Sequence, residues 1–245
     1  MKQQALSKIL CAGIAVLGLC ATAQAHQIWL EQPEGENAVI RFGEFGENLR
    51  ETSPGLLDHF GSPAARLFAK GEAKPLAPVK AATGFTLPVK LAPGESLTAE
   101  EPAFPIRVFK REEREVRSGY WPAARFITDF STRTPSLALD IVPTGKPGVF
   151  RLTFRERPLP GTEVQILVQS GWSKRARTNA EGEVTFDLPW QGQYVVEASH
   201  TDRTPGERQG EKYDGIHYVT TLTLVQPAGI APLPAGPAAK PNPGK

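Results

Sequence analysis

Apolar residues recur at every second position of the stretch Gly192-Gln193-Tyr194-Val195-Val196-Glu197-Ala198-Ser199-His200. Successive side chains of a β-strand point to opposite sides of the sheet. Tyr194, Val196 and Ala198 would therefore share one face of an extended chain. The stretch predicts a strand with that face buried and with His200 at its end.

The segments around this stretch repeat the alternation and are separated by turn-forming residues. Pro143–Gly148 and Asn179–Gly182 contain glycine together with proline or asparagine, which favour turns. Short alternating strands at this spacing predict an antiparallel sandwich, of the immunoglobulin or transthyretin type, over residues 136–226. The predicted strands are Leu137–Val142, Val149–Phe154, Val164–Val168, Val184–Leu188, Gln193–His200 and His217–Val225. The side chains expected in its core are Val164, Ile166, Phe186, Tyr194 and Val196.

Residues 26–135 also predict β-structure, with less regular connections. His26–Glu31 and Ala38–Phe42 flank the turn signal Glu34–Asn37, and this arrangement predicts a hairpin. A short helix is predicted at Ser53–Gly61, and further strands at Thr86–Leu91, Ile106–Lys110 and Arg125–Phe130. We therefore expect an all-β protein with two β-sandwich-like domains, at residues 26–135 and 136–226.

Both ends of the chain differ in composition from these segments. Residues 1–25 combine Lys2 and Lys8 with the apolar run Ile9–Leu19, and they end on Ala23-Gln24-Ala25. This A-x-A ending is typical of a signal-peptidase site, so the sequence predicts a cleaved signal peptide and a periplasmic location. Residues 227–245 are rich in proline, alanine and glycine, which predicts a disordered or extended tail.

Removal of residues 1–25 would change both the sulfur content and the net charge of the chain, and these limit what the mature protein can bind. Cys11, Cys20 and Met1 would all be removed, and they account for the 2 cysteines and 1 methionine of the chain. Two of the 28 basic residues would also be removed, which leaves 26 basic against 26 acidic residues. This balance argues against nucleic-acid binding, which needs a concentrated basic face. No second apolar run is long enough to span a bilayer, so we expect a soluble mature chain without membrane insertion.

Cleavage after Ala25 would give His26 a free α-amine, which can form a chelate ring with its Nδ1. Such nitrogen donors suit Cu(II), Ni(II) or Zn(II). His200 and His217 end and begin consecutive predicted strands, so an antiparallel pair would bring them to one edge. Side chains an even number of residues apart share a face of a strand, which places His200 on the Tyr194 face and His217 on the opposite face. This parity favours His200 over His217 as the side chain that points inward to join His26. We expect a transition-metal site formed by His26, His200 and His217.

Three motifs of the second half resemble a known fold. Arg157–Val164, Thr178–Phe186 and Gly192–Tyr194 are similar to the transthyretin-like, carboxypeptidase-regulatory sandwich. A wider pattern resembles a periplasmic family named domain of unknown function 4198, often described as a component of nickel or cobalt uptake. That pattern comprises His26, Trp29, Glu31, Ala138–Gly145 and Thr221–Leu224. The resemblance implies a two-part β protein that binds a transition metal, with a membrane metal transporter as candidate partner. Together with the nitrogen donors at His26, it leads us to expect Cu, Ni or Co as the ion.

The sequence contains none of the common catalytic motifs, such as G-x-S-x-G, a nucleotide-binding loop or H-E-x-x-H. We therefore expect a metal-binding protein of uptake or homeostasis rather than an enzyme. Two alternatives remain open. An N-terminal histidine with a second histidine also describes the histidine-brace site of oxidative copper enzymes, and a structural or adhesive β-sandwich would hold no metal.

Overall fold

The computed structural model describes residues 26–243. The predicted signal peptide, residues 1–25, lies outside the described residues. Within the described range the chain forms strands, two 3₁₀ helices at Phe45–Glu47 and Leu56–His59, and no α-helix, which confirms the all-β fold class. None of the helices in this range is long and apolar enough to cross a bilayer.

The strands are numbered in chain order. They are β1 (Gln27–Glu31), β2 (Val39–Glu44), β3 (Leu49–Arg50), β4 (Ala64–Ala69), β5 (Glu72–Leu76), β6 (Val79–Ala81), β7 (Gly84–Thr86), β8 (Ser96–Glu100), β9 (Arg107–Arg111), β10 (Arg114–Ile127), β11 (Leu139–Pro143), β12 (Val149–Phe154), β13 (Arg157–Pro158), β14 (Glu163–Val168), β15 (Ser173–Arg177), β16 (Glu183–Thr185), β17 (Gly192–Asp202), β18 (Gly206–Arg208), β19 (Glu211–Tyr213) and β20 (Gly215–Gln226). The three longest strands, β10, β17 and β20, lie side by side in the largest sheet.

This central sheet contains strands from both halves of the chain. Its order is β15-β14-β17-β20-β10-β8-β4-β5, with β9 paired to β10. The alternating stretch that begins at Gly192 forms β17, which pairs antiparallel with β20, whereas β20 pairs parallel with β10. The predicted boundary between residues 135 and 136 falls between β10 and β11, and the central sheet includes strands from both sides of it.

A smaller sheet packs on each face of the central sheet. The front sheet has the order β1-β2-β7-β6, with β3 paired to β2, and the back sheet has the order β11-β12-β13, with β16 paired to β12. The front core joins Ile28 and Phe42 to Ala124 and Phe126 of β10. All five side chains predicted to lie in the core are buried in the back core. The molecule is therefore built of two sandwiches that share one sheet.

Several element boundaries differ from the predicted ones because strand pairing continues outside the cores. β10 begins at Arg114 rather than at Arg125, since Arg114–Ser118 pairs with β9 along an exposed edge. β15 has no predicted counterpart because Ser173–Arg177 is exposed along almost its whole length. In both cases backbone hydrogen bonds hold the strand in the sheet. Because neither segment buries one face, its sequence shows no alternation of apolar and polar residues.

A buried ion pair joins the end of β10 to the start of β11. Arg125 Nε and Nη2 donate to the two carboxylate oxygens of Asp140 at 3.0 and 2.5 Å. Arg125 is 1% exposed and Asp140 is not exposed. The backbone amides of Ser136 and Leu137 donate to the same carboxylate at 2.8 and 3.2 Å. Every charged group here has a partner, and the pair links β10 of the central sheet to β11 of the back sheet.

The proline-rich tail lies along the surface as an extended chain. The Gln191 amide donates to the Ile230 carbonyl at 2.8 Å, and the Asn48 side chain donates to the Gly236 carbonyl at 2.8 Å. The Asn242 amide donates to Glu51 Oε2 at 2.8 Å. These bonds lead the tail across the molecule to the region around His26.

Candidate functional site

Strand β1 places His26 against the central sheet. Thr221 Oγ1 of β20 donates to the Ile28 carbonyl at 2.8 Å. The Tyr120 hydroxyl of β10 donates to the carbonyl of His26. Every side chain of β1 is buried. The backbone of His26 is therefore positioned by two strands of the central sheet and by the front core.

The imidazole of His26 lies between two carboxylates. Its Nε2 is 2.6 Å from Glu51 Oε1, and its Nδ1 is 3.3 Å from Glu44 Oε1. The Glu51 side chain is not exposed to solvent. A neutral imidazole donates from only one nitrogen, so the shorter contact identifies Nε2–H as the donor to Glu51 in the neutral ring. Nδ1 then carries the lone pair.

Gly43 allows both carboxylates to approach the ring. Its φ is +145°, and a Cβ at this position would lie 2.3 Å from the carbonyl oxygen of Leu49. Only glycine fits so close to another backbone. β3 therefore pairs tightly with β2, and the chain continues directly to Glu51, whose amide donates to the Phe42 carbonyl at 2.8 Å.

Glu44 and one further carboxyl group in this region, Glu197, bind protons more tightly than usual. Burial raises the pKa of Glu44, and although His26 opposes this effect, the charges of Glu47 and Glu51 add to it. Burial also raises the pKa of Glu197 on β17 to about 7, against a hydrogen bond from Gln27. Glu197 therefore takes up and releases its proton near neutral pH.

His217 reaches the same region from β20. It lies opposite Tyr120 in the parallel register, and the two rings stack with centroids 6.4 Å apart and planes 21° apart. Its Nδ1 is 3.0 Å from Thr201 Oγ1. Burial lowers the pKa of His217, and the charge of His200 acts in the same direction. A neutral His217 with Nδ1 bonded to Thr201 would offer Nε2 to a ligand.

His200 lies on the other face of the central sheet. It is paired with Tyr218 rather than with His217, and its ring centroid is 4.5 Å from that of Phe154. The predicted parity of His200 and His217 is thus confirmed. However, β1 packs on the His217 face, so His26 and His217 line one pocket, whereas the His200 side chain lies on the opposite face of the sheet.

His26 and His217 line one pocket of about 600 Å³. The other lining residues most relevant to binding are Phe42, Arg107, Tyr120 and Asn242. No motif in the sequence marks Tyr120, Glu44 or Glu51 as part of this site. The hairpin register was the available signal for Glu44, because pairing of Gln27 with Gly43 extends to His26 opposite Glu44.

The side chains alone do not complete a metal site. Among residues 26–243, no group of three or more His, Cys, Asp or Glu side chains is arranged to hold a metal ion. The donor that could complete the set is the α-amine of His26, which exists only after cleavage at Ala25. One feature fits metal binding well, because metal-ligating histidines commonly donate their other ring N–H to a carboxylate, as Nε2 does to Glu51.

Comparison with known proteins gives one match. Residues 129–202 match the family model described as "Domain of unknown function (DUF4198)". No curated protein and no solved structure matches the chain. The matched segment contains the back sheet together with β14, β15 and all of β17, including His200, whereas His26 and His217 lie outside it.

Proposed function

We propose that this chain is a periplasmic protein that binds a transition metal ion, Cu, Ni or Co, for uptake or homeostasis. The observation that carries the proposal is the convergence of His26 and His217 on one pocket. The resemblance to nickel- or cobalt-uptake components and to a transthyretin-like sandwich supports it. A membrane metal transporter is the proposed partner.

His26 is the primary ligand in this proposal. Its amine, freed by signal cleavage, and its Nδ1 bind the ion together. Glu51, hydrogen-bonded to Nε2 at 2.6 Å, holds the ring in the orientation that directs Nδ1 to the ion. Glu44 Oε1, 3.3 Å from Nδ1, gives way when the metal binds.

His217 is the second ligand, through Nε2. Its lowered pKa favours the neutral form, which is the form that binds metals. Tyr120 touches both histidine residues and thereby fixes the distance between the two strands that carry them. Protons compete with the metal for the amine and the imidazoles, so affinity falls on acidification.

The experiment compares His217→Ala with His200→Ala in the mature chain, after intact-mass analysis has confirmed that it begins at His26. Cu(II) and Ni(II) affinities are measured by competition with a chromophoric chelator. We expect His217→Ala to weaken binding by at least about tenfold, or about 1.4 kcal/mol. His200→Ala, on the opposite face, should bind like the unmodified chain. Equal affinities of the His217→Ala and unmodified proteins would contradict the proposed ligand set.

A further inference from the structure

A second pocket lies on the outer face of the back sheet, away from His26. Its volume is about 300 Å³. β12 provides its floor through Arg151 and Thr153, and residues 132–135 form one wall. All of its lining residues fall within residues 129–202, the segment that matches the family model.

Two polar atoms in the floor of this pocket are buried without a hydrogen-bond partner in residues 26–243. They are Arg151 Nε and Thr153 Oγ1. Thr153 is 2% exposed. A buried polar group that lacks a partner costs about 1–3 kcal/mol, so such groups usually meet water or a ligand. The Nε–H of arginine can only donate, so the missing partner offers acceptor atoms.

An ion pair restricts the orientation of the Arg151 side chain, which is 43% exposed. Its Nη2 donates to Glu183 Oε1 at 2.6 Å, and Glu183 lies beside it in the paired strand β16. Arg133 is held in the same way on the wall, where Nη2 donates to Asp129 Oδ1 at 2.9 Å. Arg133 also donates to the carbonyls of Ser131 and Gly94, so Arg151 Nε is the arginine donor left without a partner at this pocket among residues 26–243.

Charged side chains of both signs surround the pocket. Arg133, Lys146 and Arg151 line it, against the two carboxylates Glu156 and Glu183. Glu183 is already bonded to Arg151, and Lys146 lies exposed at the mouth. When Asp129, which is bonded to Arg133, is included, three basic and three acidic side chains balance. The unpartnered donors, rather than a net positive charge, therefore favour a ligand with oxygen acceptors.

We propose that this pocket binds a small oxyanion, a phosphate or a carboxylate group. The anion accepts from Arg151 Nε and Thr153 Oγ1, and Lys146 closes over it as a mobile counter-ion. The site does not depend on the metal-binding function, because it lies on the opposite side of the central sheet from His26 and His217.

The test uses isothermal titration calorimetry of the mature chain at low ionic strength, with inorganic phosphate in one arm and citrate in the other. We expect one equivalent of at least one anion to bind, and the arm that binds identifies the class. Thr153→Val removes the hydroxyl and nearly preserves the shape, so it should weaken binding about tenfold. Thr153→Ser retains the hydroxyl and should bind like the unmodified protein.

Lys146→Ala should also weaken binding, and Lys174→Ala, on the exposed edge strand β15, is the matched charge control. A thermal melt of each variant verifies that it is folded. No heat with either anion would overturn the proposal, because the unpartnered atoms would then be satisfied by water alone. Binding that is equally strong in Thr153→Val, or equally weakened by Lys174→Ala, would also overturn it, since the anion would then be bound elsewhere or by general charge.

Discussion

Glu197 shows how one residue beneath β1 can make folding depend on pH. Burial raises its pKa from 4.5 to about 7, while the hydrogen bond from Gln27 and the charge of Arg175 act in the opposite direction. The folded state therefore binds this proton more tightly than the unfolded state does. The stability from the protonated carboxyl is fully present below about pH 4.5, and it is lost as the pH rises through about 7.

Glu197→Gln should remove this dependence, because the amide cannot ionise and can still bond to Gln27. At pH 8 we expect the variant to be more stable than the unmodified protein, by on the order of 1–3 kcal/mol. The difference should disappear near pH 4.5. Urea unfolding between these pH values measures it, with Glu112→Gln in an exposed turn as the control. A stability difference of the same size at every pH would contradict the assignment.

At the scale of single elements, alternation of side chains predicted the strands that line a core. β12 was predicted at its observed bounds, and β17 within two residues. The pattern could not predict β15 or the first part of β10, because these strands are held by backbone pairing at exposed edges. Likewise, the residues next to Arg125 and Asp140 in the sequence do not predict that the two form an ion pair. The pair depends on the path of the chain between β10 and β11.

Phe186 is a large side chain of the back core, and its packing can be tested by truncation. Phe186 follows β16 and is 3% exposed, so Phe186→Ala should lower the free energy of unfolding by about 3–5 kcal/mol through lost burial and a cavity. Phe109→Ala, at a position that is 47% exposed on β9, makes the same chemical change outside both cores. Its effect should be a small fraction of that of Phe186→Ala in denaturant titrations. Equal effects would show that Phe186 does not pack as described.

At the scale of the whole molecule, the shared central sheet is the feature that local patterns did not predict. Parity correctly separated His200 from His217, but it could not show on which face β1 would pack. That choice depends on contacts of β1 with β10 and β20, far away in sequence. Of the three residues expected to form the metal site, His26 and His217 are therefore retained in the proposed ligand set, and His200 is not.

The same sheet predicts that both sandwiches unfold together. β10 and β20 pair over nine residues from Ser118 to Phe126, and the Arg125–Asp140 pair adds a second connection. We expect a single calorimetric transition, and both Phe60→Ala in the front core and Phe186→Ala in the back core should move it to lower temperature. Two transitions, each sensitive to only one of these variants, would instead support independent domains at residues 26–135 and 136–226.

The most direct test of the proposed metal site is the Cu(II) affinity of the mature chain before and after acetylation of the His26 amine alone. Acetylation turns the amine into an amide and leaves every side chain unchanged. If the amine and Nδ1 of His26 hold the ion, the acetylated chain should bind at least about tenfold more weakly, or about 1.4 kcal/mol. Equal Cu(II) affinity of the two forms would contradict the N-terminal chelate on which the proposed function rests.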